Sequence, residues 1–313
     1  DLMQIPVITT MMGISVFPDD DQLFCGMIGT HGVKMANAAV NECDVLFLVG
    51  ARVGDRAVKT PLALEKTTKI IHIDIDPAEI GKNIGADLPL VGDAKLVLQQ
   101  MTELAKPMKH DEWIAHIKTL GGERKYVEPA KGTVNPRVFI DRLAKKMPAN
   151  VTVVADVGQN QIWTCTEYKF RKEGRLLTSG GMGTMGYSVP AAIGAKMADD
   201  SRATVAICGD GAFQMSFMEL ATAVQFGVDI KVVVMTNNRL GMVRELQTNG
   251  YHDRQTAVFL DGSPDFIKLA EAYGIPAMRV YDDDTMEKGV EMLAEHKGIC
   301  LVEVVVDKDM PTL

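Results

Sequence analysis

The sequence predicts an α/β protein made of two three-layer α/β/α domains with mostly parallel sheets. Two observations carry that prediction. The first is a set of short apolar runs: Val45–Val49, Ile70–Ile75, Val151–Ala155, Thr204–Cys208, Ile230–Met235 and Cys300–Val306. Each is long enough for one strand and apolar on both sides, as a parallel strand buried between helices must be. The second is what lies between them: stretches with apolar residues at helical spacing, so that strand and helix alternate along the chain. The opening DLMQIPVITT reads as the approach to a buried strand. Helices are expected at Val33–Asn41, Pro136–Lys146 and Ser216–Phe226. Around 107–135 the pattern is interrupted by Pro107, the charged KHDEW, Gly121-Gly122, Pro129, Gly132 and Pro136. The expected division is a first domain at 1–106, N-terminally incomplete, a linker at 107–133, and a second domain at 134–313. The helix around Trp113–Leu120 is expected on the surface within that linker. Asn249–Pro264 is polar and irregular, as mobile loops are.

Composition narrows the function. Apolar residues make up 47% and charged residues 24% of 313, which supports a packed core and excludes disorder as the main state. The formal charge of −8 excludes a nucleic-acid-coating protein, since phosphate binding needs a basic face. It suits a cytoplasmic enzyme whose anionic ligands are met by local groups. No apolar run reaches about 18 residues, so no membrane span is expected. The five cysteines are odd in number and include no CxxC pair, the pattern of buried free thiols in a reducing compartment rather than of disulfides or zinc. The first residues lack the regions of a signal peptide, and the chain reads as starting part-way through a larger protein.

The chemistry concentrates in the second domain. Gly209-Asp210-Gly211 follows the run TVAIC, and Asn237-Asn238 follows IKVVVM, 27 positions from Asp210 to Asn237. Both motifs therefore fall at the carboxyl ends of parallel strands, where open α/β sheets bind ligands. One carboxylate and one amide oxygen make a hard oxygen site suited to Mg²⁺ that also takes phosphate oxygens. Glycines there let backbone N–H groups approach a pyrophosphate, and the helix after Gly211 is expected to point its positive end at it. Ser179–Tyr187 (SGGMGTMGY) is too glycine-rich for a helix interior. Val157-Gly158-Gln159-Asn160 follows the run VTVVA as a further turn.

Taken together these segments resemble the thiamin diphosphate motif. The resemblance extends over nearly the whole chain and points to the large catalytic subunit of acetolactate synthase, also called acetohydroxyacid synthase. It implies the thiamin diphosphate-binding type of fold. By it, Mg²⁺ is held by Asp210, Asn237 and the backbone carbonyl of Arg239. Thiamin diphosphate is contacted by Gly158, Gln159, Asn160, Gly183, Met185, Gly209, Asp210, Gly211, Ala212, Asn237, Gly241 and Met242. Met185 wedges between the cofactor's two rings. The subfamily markers are Pro6–Gly13, Gly29–Gly32, Gly50–Arg56 and His72–Pro77. They imply a structural FAD contacted by Thr10, Met11, His31, Gly32, Gly50, Arg52, Asp74 and Asp93. Arg56 resembles the arginine that takes the carboxylate of the second keto acid, a task suited to a planar fork.

The implied reaction is decarboxylation of pyruvate and transfer of its two-carbon unit to a second 2-oxo acid, pyruvate or 2-oxobutyrate. The product is acetolactate or acetohydroxybutyrate, the first common step of branched-chain amino acid synthesis. A homo-oligomer, dimer or tetramer, and a small regulatory subunit are implied with it. Three departures stand out. The family's FDDR is here Val53-Gly54-Asp55-Arg56, and the usual tryptophan of the substrate pocket is Leu246. The preceding domain, which carries the family's catalytic glutamate, has no counterpart in this sequence, so the chain alone is expected to be inactive. Rival expectations are a glyoxylate carboligase or a pyruvate oxidase-like enzyme within the same cofactor class, or an inactive remnant. A nucleotide-binding dehydrogenase would need a GxGxxG opening a helix after a strand, and the sequence has none.

Overall fold

The computed structural model describes residues 2–122 and 126–313. Asp1 and residues 123–125, which fall in the first expected domain and the expected linker, lie outside the described residues. The chain forms two compact units, Asp1–Gly13 with Asp21–Arg124, and Ile14–Asp20 with Lys125–Leu313. Among the described residues no helix is long and apolar enough to cross a membrane.

The first unit runs β1 (Val7–Thr9), β2 (Phe24–Met27), α1 (Lys34–Glu42), β3 (Val45–Val49), α2 (Pro61–Leu64), β4 (Lys69–Asp74), β5 (Leu88–Val91), α3 (Ala94–Leu104) and α4 (Asp111–Leu120). β1 and β2 pair in parallel, and β3-β4-β5 form a separate parallel sheet in that order. Leu46 and Leu48 of β3 pack with Val40, Leu64, Ile70 and Ile84. The run Val45–Val49 was expected to be buried on both faces, yet Val45 and Val49 are exposed. Here β3 is an edge strand and the alternation of its side chains puts only one face in the core. The helix expected on the surface of the linker is α4, and it is part of this unit. Its apolar stripe turns inward: Ile117 is buried against Cys25 and Ala39, with Trp113 beside them.

The second unit runs α5 (Pro136–Lys146), β6 (Thr152–Ala155), α6 (Gln159–Glu167), β7 (Arg175–Thr178), α7 (Ser188–Ala198), β8 (Thr204–Gly209), α8 (Asp210–Gln214), α9 (Leu220–Gln225), β9 (Lys231–Thr236), α10 (Gly241–Gly250), α11 (Phe266–Ala272), β10 (Ala277–Val280), α12 (Asp283–Glu295) and β11 (Cys300–Val305). α5 begins where Asn135 accepts from the N–H of Arg137 and Val138 and Pro136 takes the first helical position. The single helix expected at Ser216–Phe226 is split into a 3₁₀ turn, Phe217–Glu219, and α9.

All strands of this unit lie in one parallel sheet of order β10-β11-β9-β8-β6-β7. Val154, Ala206, Cys208, Val232, Val234 and Leu301 pack on one face against α7, α9 and α11. On the other face α12 lies so close that a Cβ on its Gly289 would stand 2.6 Å from Val280 and 3.3 Å from Val302. The order reverses at β6: the chain steps outward to β7, then returns to β8 on the other side. That reversal opens a crevice between the carboxyl ends of β6 and β8, where doubly wound sheets take ligands.

Ile14–Asp20 belongs to the second unit because its polar atoms are met there. Ser15 Oγ accepts from Leu176 N at 2.9 Å. Asp19 N donates to Phe170 O at 2.8 Å, and Asp19 Oδ2 accepts from Phe170 N at 2.9 Å. Asp19 Oδ1 is buried with no hydrogen-bond partner among the described residues, and burial pushes this carboxyl up to about 6. The folded chain therefore holds a proton that the unfolded chain releases from about pH 4, so stability falls as pH rises from about 4 to 6. Asp19→Asn is expected to flatten that fall and to raise stability at pH 7 by about 1–2 kcal/mol, allowing for partial exposure. Urea denaturation at pH 4, 5, 6 and 7 checks it; an unchanged pH profile in the variant would contradict the assignment.

Candidate functional site

The crevice at the reversal point forms a pocket. Three turns wall it, each following a strand: 157–160 after β6, 209–212 after β8 and 237–243 after β9. Met185, Trp163, Met235 and Val306 complete the lining. Of the expected thiamin diphosphate contacts, all but Gly183 line it. Gly183 stands two residues before Met185, its N–H donating to Ser179 O. Leu246 is exposed on α10 and outside the lining.

Asp210 is the electrostatic centre. It is buried, and its carboxylate is met by backbone N–H groups: Oδ1 accepts from Gly211 at 2.8 Å, and Oδ2 from Asn237 at 3.1 Å and Asn238 at 2.6 Å. Asn238 reaches that position with φ 54°, a left-handed conformation that asparagine tolerates. Burial pushes Asp210 up to about 6, and the three N–H groups offset part of the shift. A buried carboxylate held by dipoles alone lowers its energy further when a cation arrives. Asn237 directs Nδ2 to Gln159 Oε1 at 3.2 Å and accepts from Arg239 N on Oδ1 at 3.1 Å. Among the described residues no group of three His, Cys, Asp or Glu is placed to hold a metal. Asp210 and Asn237, which line the same pocket, offer one carboxylate and one amide oxygen, donor types that suit a hard cation better than zinc.

The expected helix dipole after Gly211 is reduced to one turn, since α8 begins at Asp210 and has five residues. The side chains of Gln159 and Asn160, expected beside a diphosphate, are engaged with protein. Gln159 Nε2 donates to Met310 O at 2.9 Å, Thr312 Oγ1 at 3.2 Å and Glu245 Oε2 at 3.2 Å. Asn160 Nδ2 donates to Asp156 O at 2.8 Å and Ile207 O at 3.2 Å, joining the ends of β6 and β8. The cradle is close-fitting: a Cβ on Gly241 would stand 1.9 Å from Gln159 Oε1. The polar stretch 249–264 is anchored back along 238–240, with Leu240 N donating to Val258 O, Leu260 N to Asn238 O, and the Arg239 guanidinium 4.7 Å over the Phe259 ring.

The remaining candidates lie in the first unit, again at strand ends. Thr10 and Met11 follow β1, His31 and Gly32 follow β2, Gly50 and Arg52 follow β3, and Asp74 ends β4. Asp93 follows β5, where its carboxylate caps α3 by accepting from Leu96 N. The turn bearing Arg56 backs on the 29–32 loop, Thr30 N donating to Arg56 O at 2.9 Å, while the Arg56 side chain is exposed. Residues that sequence reasoning missed are Asp156, Glu245 and the C-terminal stretch Met310–Thr312. All act through backbone or side-chain hydrogen bonds that leave no motif.

A parallel sheet with an Asp and an Asn at adjacent strand ends, a glycine cradle and a methionine in the same pocket defines a cofactor-dependent enzyme class. Residues 156–304 match the family described as thiamine pyrophosphate enzyme, C-terminal TPP binding domain, and residues 1–101 match thiamine pyrophosphate enzyme, central domain. The chain belongs to the thiamine pyrophosphate enzymes. Within them it is 40% identical over 98% of its length to a probable acetolactate synthase large subunit of Methanocaldococcus jannaschii, covering 54% of that protein. It is 36% identical over 97% of its length to the acetolactate synthase large subunit of Lactococcus lactis, covering 53% of it. It is 34% identical over 98% of its length to acetolactate synthase isozyme 3 large subunit of Escherichia coli, covering 55% of it. The chain spans about half the length of the curated relatives it matches.

Proposed function

We propose that this chain supplies the cofactor-binding part of an acetolactate synthase. Thiamin diphosphate binds in the β6–β8 crevice through Mg²⁺, with Asp210, Asn237 and the Arg239 carbonyl as protein ligands. The single observation carrying this is that Asp210, Asn237 and Met185, from three separate segments, line one pocket at the reversal point of the sheet. When bound, thiamin diphosphate supplies the carbon nucleophile that decarboxylates a 2-oxo acid and passes on its two-carbon unit. The chain's residues hold and orient. Asp210 and Asn237 anchor the metal. Gly209, Gly211 and Gly241 let the backbone approach the diphosphate. Met185, Trp163 and Val306 wall the pocket with apolar surface that excludes water.

The substrates are pyruvate and, as second acceptor, pyruvate or 2-oxobutyrate, whose carboxylate Arg56 takes with its two-pronged guanidinium. FAD would be held structurally at strand ends of the first unit, with Thr10, Met11, His31, Gly32, Gly50, Arg52, Asp74 and Asp93 as its contacts. A homo-oligomer, a small regulatory subunit and a cytoplasmic location complete the reading. Calorimetric titration with thiamin diphosphate, with Mg²⁺ and then with excess chelator, tests the cofactor site; heat that survives chelation, or no heat at all, contradicts it. The enzyme that contains this chain should release CO₂ and form acetolactate from pyruvate. Hydrogen peroxide from pyruvate, or tartronate semialdehyde from glyoxylate, would assign it instead to an oxidase or a glyoxylate carboligase.

A further inference from the structure

Asp156 directly follows β6 and is almost wholly buried, yet its carboxylate does not line the pocket. Its oxygens are taken by three backbone N–H groups from two segments. Oδ1 accepts from Val157 at 2.8 Å and from Gly186 at 3.0 Å, and Oδ2 accepts from Ser188 at 2.7 Å. Val157 opens the turn that leads to Gly158, Gln159 and Asn160. Gly186 carries the peptide N–H immediately after Met185, and Ser188 starts α7. One carboxylate thus ties the first pocket turn to the loop that presents Met185. Backbone geometry on the loop side reinforces the tie. Gly186 has φ 83°, and a Cβ there would stand 2.9 Å from Met215 Cβ, so both conformation and space require glycine. Across the pocket, the Met185 methyl comes within 3.5 Å of where a Cβ on Gly211 would sit, beside the Asp210 turn.

We propose that Asp156 is the positioning residue for Met185: its carboxylate sets how far the Met185 side chain reaches over the Gly158 and Asp210 turns, and so the shape in which a bound cofactor is held. This rests on the reading of the pocket as a thiamin diphosphate site. A carboxylate is suited to the task because it offers acceptor lone pairs on both oxygens at once. An asparagine keeps one acceptor and turns an NH₂ toward an N–H donor, which forces one segment away.

The test uses the full chain with Mg²⁺ and thiamin diphosphate, comparing the parent, Asp156→Asn, Met185→Ala and the double variant by calorimetry. Each single variant is expected to weaken cofactor binding by roughly tenfold, and the double variant to be no weaker than about threefold beyond the worse single one, because Asp156 acts through Met185. Effects that multiply, or Asp156→Asn binding like the parent, overturn the proposal. Amide hydrogen exchange of the cofactor-free chain tests the tie itself: protection at Gly186 and Ser188 should drop in Asp156→Asn while β8 and β9 stay protected. Should Asp156→Asn lose its far-ultraviolet dichroism, Asp156→Glu, which keeps the charge and moves the acceptors by one methylene, is read in the same two ways. A parent chain that binds no thiamin diphosphate overturns the functional reading, while the exchange result still decides whether Asp156 holds the loop.

Discussion

Asp210→Ala is expected to abolish Mg²⁺-dependent thiamin diphosphate binding, a loss of roughly 100-fold or more in affinity. Removing an anionic ligand from a metal site exceeds the 10–100-fold typical of losing an outer partner. The same substitution also strips an acceptor from the N–H groups of Gly211, Asn237 and Asn238, so the β8 and β9 turns lose their mutual brace. Asp210→Asn separates the two effects, since it keeps one acceptor oxygen and removes the charge. It should retain the parent's thermal midpoint more closely while still losing metal-dependent binding. Titration calorimetry with and without Mg²⁺ reads the first effect and thermal denaturation the second; parent-like cofactor affinity in Asp210→Asn would remove Asp210 as a ligand. pH adds an independent check. With Asp210 titrating at about 6 in the metal-free fold, protons compete with Mg²⁺ below that value. Metal-dependent cofactor affinity should fall by about tenfold per pH unit below pH 6 and be flat above it.

Glu167→Ala is expected to destabilise the second unit by about 3–5 kcal/mol, the range typical of removing one half of a buried ion pair. Glu167 Oε1 accepts from Arg137 Nη1 at 2.5 Å, and both side chains are buried. Arg137 also donates to Thr312 O, so the pair joins α5, α6 and the end of the chain. The urea midpoint should drop accordingly. Replacing both partners with apolar residues, Arg137→Met with Glu167→Leu, should recover much of the loss, because no charge is then stranded. A Glu167→Ala change under about 1 kcal/mol would show that Arg137 finds sufficient partners elsewhere.

The second unit was the more legible of the two. Its central strands β6, β8, β9 and β11 are buried on both faces and read as mostly apolar runs, so the sequence places each within a residue. The strands that sequence reading passed over include the sheet edges β5, β7 and β10. An edge strand is short and half exposed, and its residues mix types: β5 contains Pro89, and β7 and β10 each carry an arginine. Helix α4 was legible as a helix, but its destination was not, because an apolar stripe of Trp113 and Ile117 does not say which neighbour will cover it. The assignment of Ile14–Asp20 to the second unit rests on hydrogen bonds to residues some 150 positions away, which no local pattern encodes.

What the sequence determined by itself was the chemistry of the turns. A glycine, an acid or an amide directly after an apolar strand puts that residue type at a strand end, since strand ends and side-chain type are local properties. What only the tertiary structure decided was how those turns are braced. Asp156 reaches Gly186 and Ser188, and Gln159 reaches Glu245 and Thr312, through hydrogen bonds whose partners are backbone N–H groups or side chains from remote segments. Every residue but proline carries the same backbone N–H, so its use as a partner leaves no mark in the sequence and exists only once the sheet has brought the segments together.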